Sequence, residues 1–207
     1  GRDLAGWDGQ PGAWTVKDGA IVCTGISKGR NWLIRRGVES ADFELRLQFR
    51  FTRGNSGVQV RSTDLGQWQV RGYQVEVAAK DQMGLWHHSL LSPVIDVENR
   101  RKHLATAGQR VTINHGAEKT VEQFAEPGDI QSVFHDGEWN AMTIIARGPR
   151  LIQKINGVVF ADLTDEQSMF ASKSGVIAFQ DHGKGTDVAF KDIRIRHFSR
   201  ENNRGGQ

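Results

Sequence analysis

The chain holds one cysteine in 207 residues. A single thiol excludes an internal disulfide and any multi-cysteine zinc site. Cys23, within "GAIVCTG", reads as a small buried hydrophobe rather than a reactive group. No apolar run approaches the ~20 residues that a membrane-spanning helix needs. Helical periodicity is scarce as well: "TDEQSMFAS" (164–172) is the one stretch that could hold a short turn. There is no dense run of one charge, because Lys and Arg are interleaved with Asp and Glu and the net charge is only +3. That argues against electrostatic capture of nucleic acid. Also missing are a Gly-x-Ser-x-Gly elbow, a His-Glu-x-x-His pair, a phosphate loop and a dinucleotide fingerprint. Gly1 opens a polar stretch rather than a leader, which leaves room for a signal peptide already removed.

What the chain does have is alternation. "FELRLQFRF" (43–51) sets Phe43, Leu45, Leu47, Phe49 and Phe51 against Glu44, Arg46, Gln48 and Arg50, the pattern of a half-buried strand. "SGVQVRS" follows the turn "TRGNSG", which predicts a hairpin. "AMTIIARG" and "RLIQKINGVVFADL" predict another, with a second turn at Asn156-Gly157. "WTVKDGAIVCTG" turns at Asp18-Gly19, and "GVIAFQDH" with "DVAFKDIRIRHF" forms a final pair. Twenty-four glycines and frequent turn signals suit an all-β sandwich or jelly roll. Residues 80–131 are irregular and read as long loops with short strands such as "RVTINH" (110–115). One sandwich domain over 1–198 and a polar tail over 199–207 is the expected organisation.

Parity picks out candidate chemistry. In "RGYQVEV" (71–77), Tyr73, Val75 and Val77 oppose Gln74 and Glu76. In "NSGVQVRS", Val58 and Val60 oppose Gln59 and Arg61, and in "AFQDHG", Gln180 and His182 share a side. These six polar residues could line one concave sheet face. Planar amides and ions there would suit a sugar, whose hydroxyls each donate and accept, with Trp68 and Trp86 as aromatic platforms. The competing reading is a solvated outer face. Asn55 and Gly57 serve either a turn or the site, and Trp139 reads as core before platform. His87 or His88 with His103 could meet through loop folding, although adjacent strand histidines point apart.

The ordered set Asn55-Ser56-Gly57, Gly72-Tyr73, Glu138-Trp139-Asn140, Ile155-Asn156-Gly157 and Gln180-Asp181-His182-Gly183 resembles the 3-keto-disaccharide hydrolase family over about residues 7–198. The resemblance implies an all-β, concanavalin A-like jelly-roll sandwich of two antiparallel sheets, with a sugar site on its concave face. It also implies a substrate already oxidised at the 3-hydroxyl of a glycoside, and a place of work in the periplasm or outside the cell. One departure stands out: an acid usually follows the Tyr directly with a Gln two residues on, whereas here the order is Gln74 then Glu76.

A 3-keto group acidifies the C2 proton, so the expected reaction is elimination of the C1 aglycone followed by rehydration. That chemistry asks for a base, an enolate stabiliser and an acid for the departing oxygen. The expected roles are His182 or Glu76 as base and Arg61 as stabiliser. Asn55, Gln59, Gln74 and Gln180 would hold sugar hydroxyls; Arg101, with Lys102 and His103, could reach in from a loop, although a solvated charge run is the stronger reading of those three. A divalent metal on Glu76 and His182 would be an alternative electrophile to Arg61. Two other classes remain open: a non-catalytic carbohydrate-binding module, and a conventional glycosidase with two acids in one cleft.

Overall fold

The structure is a computed structural model that describes residues 1–87, 104–167 and 170–199. His88, Arg101, Lys102, His103 and nearly all of the expected tail lie outside these residues. Among the described residues there are two sheets, their strands numbered in chain order. One sheet has nine, ordered β1 (Trp14–Lys17), β2 (Ala20–Cys23), β15 (Asp187–His197), β4 (Phe43–Arg53), β11 (Trp139–Arg147), β12 (Arg150–Ile155), β13 (Val158–Asp165), β9 (Gln109–Ile113) and β10 (Lys119–Gln123). The other has six, ordered β3 (Asn31–Ser40), β14 (Gly175–Asp181), β5 (Ser56–Gly66), β6 (Gln69–Val77), β7 (Gly84–His87) and β8 (Ala105–Thr106). A short helix, α1 (Pro127–Gln131), follows β10. Every named pairing is antiparallel except β13 with β9.

The period-two residues of β4 place Phe43, Leu45, Leu47, Phe49 and Phe51 in the layer between the sheets. Val58, Val60, Tyr73, Val75 and Val77 meet them from the six-stranded sheet. Phe190 of β15 stacks on Phe179 of β14 across that layer at 4.2 Å, and Trp7 stacks on Phe179 at 5.0 Å. Each fully buried aromatic contributes about 1.5–3 kcal/mol of apolar burial, which ties the sheets together.

Two expected hairpins do not form. The segment after "TRGNSG" does not turn back on β4: β4 pairs with β15 and β11, while β5 pairs with β14 and β6. Likewise β14 and β15 belong to different sheets. In both cases the connecting turn carries the chain from one sheet to the other. The β1–β2 and β11–β12–β13 turns are as expected, and Asp18 and Gly19 both have positive φ (52° and 77°), the geometry of a type I′ turn. In 164–172, Thr164 and Asp165 extend β13, and among the described residues Ala171 N–H donates to Gln167 O at 3.0 Å.

The β5–β6 hairpin does more than pair. A bulge breaks its register between Val60 and Thr63, with Arg61 at φ 48°, and its two-residue turn, Gln67-Trp68, is left-handed at both positions (49° and 56°). Beyond the bulge the hairpin folds back over the outward face of its own sheet. Trp68 O accepts the N–H of Trp32 on β3 at 3.0 Å, although β14 and β5 lie between β3 and β6. Val70 thereby joins Trp32, Ile34, Val176 and Ala178 in a second small apolar cluster. Gly72 permits the fold-back, because a Cβ there would sit 2.3 Å from Ser62 Oγ.

Candidate functional site

The outward face of the six-stranded sheet has two halves. The apolar cluster under the folded hairpin fills one, and a buried polar network fills the other. Gln74 is its hub. Its Nε2 donates to Glu76 Oε2 at 2.7 Å and to Gln180 Oε1 at 3.0 Å, while its Oε1 accepts from Gln59 Nε2 at 2.9 Å. Asn55 Nδ2 donates to Glu76 Oε1 at 2.5 Å, and Ser62 Oγ donates to Gln59 Oε1 at 2.7 Å. Gln59, Gln74 and Gln180 are fully buried and Glu76 is 7% exposed. The alternation of β5, β6 and β14 produces this, since all three send an amide or acid to the side opposite the core.

Gly57 makes room for the hub. A Cβ at Gly57 would lie 2.5 Å from the Gln74 side chain, so the amide lies directly over that backbone. Gly57 and Ser62 are therefore part of the site's construction. Nothing in the sequence singles out Ser62, and Gly57 reads equally well as a turn residue.

The electrostatics single out Glu76. Burial pushes its carboxyl up to about 7, against the pull of hydrogen bonds from Asn55 and Gln74. The buried Gln180 Nε2 has no hydrogen-bond partner, which leaves a donor beside that carboxyl. His182 follows the last residue of β14, on the side shared with Gln180, and is exposed. Desolvation of its ring, then the charge of Arg30, hold its pKa below the ordinary value, so it is neutral at neutral pH. Asp181 anchors the turn that carries it, accepting from Asn31 Nδ2 at 3.2 Å and Gly183 N–H at 2.9 Å. Trp86 lies opposite Gln74 in the β6–β7 register.

Other expected members sit elsewhere. Arg61 is not on this face. Its bulge turns the guanidinium to the turns at one end of the sandwich, where it donates to Ala41 O (2.7 Å), Gly148 O (2.7 Å) and Asp42 Oδ1 (2.9 Å), and only 2% of the side chain is exposed. Parity fails there because a bulge residue shifts the alternation. Trp68 forms the wall of the folded hairpin, with its indole donating to Asp8 Oδ1 at 3.0 Å. Trp139 is neither core nor platform: it faces outward on the nine-stranded sheet beneath Lys191 and Arg50. Arg101 lies outside the described residues. Cys23 is buried, and burial with the nearby Asp181 charge pushes its thiol up to about 12, an inert state.

The residues present do not fit a metal held by Glu76 and His182. Both Glu76 oxygens accept from amides, and among the described residues no three His, Cys, Asp or Glu side chains gather to hold an ion. Two cavities, about 660 and 600 Å³, lie away from Glu76, one beside Tyr73, His115 and Asp165 and the other beside Arg35 and Phe190.

A two-sheet β-sandwich with an amide-rich polar face belongs to the jelly-roll class typified by galectins and legume lectins. The chain is a member of the 3-keto-alpha-glucoside-1,2-lyase-like domain family, whose model matches residues 1–196. No curated protein matches it. Solved structures share the fold. A putative glycosyl hydrolase from Parabacteroides distasonis is 20% identical, with a TM-score of 0.60 and 96% of each chain covered. The carbohydrate binding module CBM66 from Bacillus subtilis is 15% identical, with a TM-score of 0.58, covering 92% of this chain and 95% of that one. A protein with a galectin-like fold, also from Bacillus subtilis, is 12% identical with a TM-score of 0.60, covering 94% and 90%. No helix among the described residues is long and apolar enough to cross a membrane.

Proposed function

We propose that the chain cleaves 3-keto-glycosides by elimination and rehydration, with Glu76 as the base. The observation that carries this reading is the Glu76 carboxyl, brought to about 7 by burial among amides. A base poised near the working pH is the one that transfers a proton most effectively. Glu76 takes the C2 proton, and the C–H electrons move into an enolate at the C3 oxygen. The enolate then collapses and the C1–O bond breaks, its electron pair leaving with the aglycone oxygen, which takes up a proton. Water adds at C1 of the resulting enone, and a proton returns to C2. Gln180 Nε2, with no partner of its own, is the donor suited to the developing enolate oxygen. His182, neutral and exposed on the side of β14 that Gln180 shares, would act as the base that activates the incoming water, while the proton held by Glu76 is available to the departing oxygen. Asn55, Gln59 and Gln74 orient hydroxyls, and Trp86 offers a ring face. The site of work in this reading is the periplasm or the cell exterior.

The test is incubation with prepared 3-keto-glucosides in deuterium oxide. Released 3-keto sugar should carry deuterium at C2 above spontaneous exchange, and the unoxidised glucoside should not react. Glu76→Gln and His182→Ala should each lose roughly 10²–10⁴-fold in turnover. Cleavage without C2 labelling would overturn the mechanism. A second reading, a non-catalytic sugar-binding module, is favoured by one observation: both Glu76 oxygens already have amide partners. Binding of 3-keto-glucosides without turnover would establish it.

A further inference from the structure

The interleaved charges of the sequence do not stay interleaved in the fold. Residues two apart on a strand share a face, and cross-strand neighbours lie about 4.8 Å away. On the outward face of the nine-stranded sheet, β4 sets Arg46 and Arg50, and β15 beside it sets Lys191, Arg194 and Arg196. On the other flank of β4, the β11–β12 hairpin adds Arg147 and Lys154. Two carboxylates accompany these seven cations: Glu44, held by Arg46 and Arg196, and Asp192, which accepts from Gln48 Nε2 at 2.9 Å. Arg150, opposite Arg147 in the β11–β12 register, shares this face but is matched by Asp162 of β13, so beside that neutral pair the seven cations less the two carboxylates leave +5, against +3 for the whole chain. Among the described residues no carboxylate pairs with Arg50, Arg147, Lys154, Lys191 or Arg194.

The cations are interspersed with rings and aliphatic side chains. Lys191 Nζ lies 4.1 Å from the centroid of Trp139, and Arg50 lies 5.2 Å from it. Arg147 and Arg196 flank Phe198 at 4.6 and 5.5 Å. Ile145 and Ile152 stand opposite each other on the same face, half-buried. We propose that this face docks the protein on an anionic bilayer surface. The composition decides the partner: cations neutralise headgroup phosphates, while Trp, Phe and Ile side chains favour the headgroup–acyl boundary. A nucleic acid would gain from the cations but not from the isoleucines, and the four strands present no element shaped for a groove. Docking in this way leaves the polar network, on the opposite sheet's outward face, directed away from the bilayer. The inference does not depend on the reaction proposed above.

The test is co-sedimentation of the full chain with vesicles at about 50 mM salt, a low-salt regime that leaves surface charges weakly screened. Vesicles of phosphatidylcholine with a substantial phosphatidylglycerol fraction should retain the protein, and pure phosphatidylcholine should not. Raising the salt should release it. R50E/K191E/R194E should weaken retention by tenfold or more while leaving the melting temperature and any 3-keto-glucoside turnover unchanged. Ile152→Ser should weaken retention without changing the salt dependence. Equal retention on neutral vesicles, indifference to the triple substitution, or tighter binding to duplex DNA or heparin at the same salt would each overturn the proposal.

Discussion

At the scale of single residues, Glu76 stores an unfavourable term that the fold tolerates. In the unfolded chain a glutamic acid titrates near 4.5, and in the folded protein this one titrates near 7. The folded state therefore binds its proton more tightly. The associated stability is present in full below about 4.5 and is lost as pH rises through about 7. The difference amounts to about 3 kcal/mol at most. Thermal melts of the wild type and Glu76→Gln at pH 5 and pH 8.5 should show it: the wild type should lose more stability than the variant on going to alkaline pH. Parallel pH dependences would mean that Glu76 titrates normally and is too well solvated for the role given to it. The same buried proton predicts that turnover rises with pH through about 7, where Glu76 becomes the free base.

At the scale of elements, face assignments were legible in the sequence and partners were not. Alternation alone put Gln59, Gln74, Glu76 and Gln180 on one side of their strands, and the structure joins them in one network. It could not report that β4 and β5 part company at the "TRGNSG" turn, because a sheet-changing corner and a hairpin use the same turn residues. The fold-back of β5–β6 is hidden for a similar reason: it depends on a bulge at Arg61, which shifts the alternation without any residue type that announces it, and on Gly72 passing over Ser62. Gly57 offers a test of how tightly the network is built. Gly57→Ala puts a methyl group 2.5 Å from the Gln74 side chain, so the amide has to move off Glu76 and Gln180. The cost should be about 1–3 kcal/mol by thermal unfolding. Because Gln74's hydrogen bond lowers the Glu76 pKa, its loss should also move the pH–rate profile upward. A profile left in place would show that the Gln74–Glu76 bond does not tune the carboxyl.

At the scale of the whole molecule, the two sheets divide the labour. The six-stranded sheet carries the polar network, the nine-stranded sheet carries the basic face, and the aromatic layer between holds them in register. Arg61 belongs to that joint. Strand parity puts Arg61 on the polar face, where the expected elimination would use it as an enolate stabiliser, yet its guanidinium reaches the β3–β4 turn at Ala41 and Asp42 and the β11–β12 turn at Gly148. It thus links β5 of one sheet to a turn within the other. Burial lowers its pKa and Asp42 opposes that shift, which is the signature of a cation buried for structure. Arg61→Met keeps much of the volume but leaves two carbonyls without their donor and Asp42 without its cation. Asp42 is one-third exposed, so water softens the loss, and the expected cost is about 2–4 kcal/mol by denaturant unfolding. Turnover per folded molecule should then match the wild type within a few-fold. If Arg61→Met instead abolished turnover while unfolding at the wild-type denaturant concentration, the guanidinium would have to act on the substrate, and the division between a structural joint and a chemical face would be wrong.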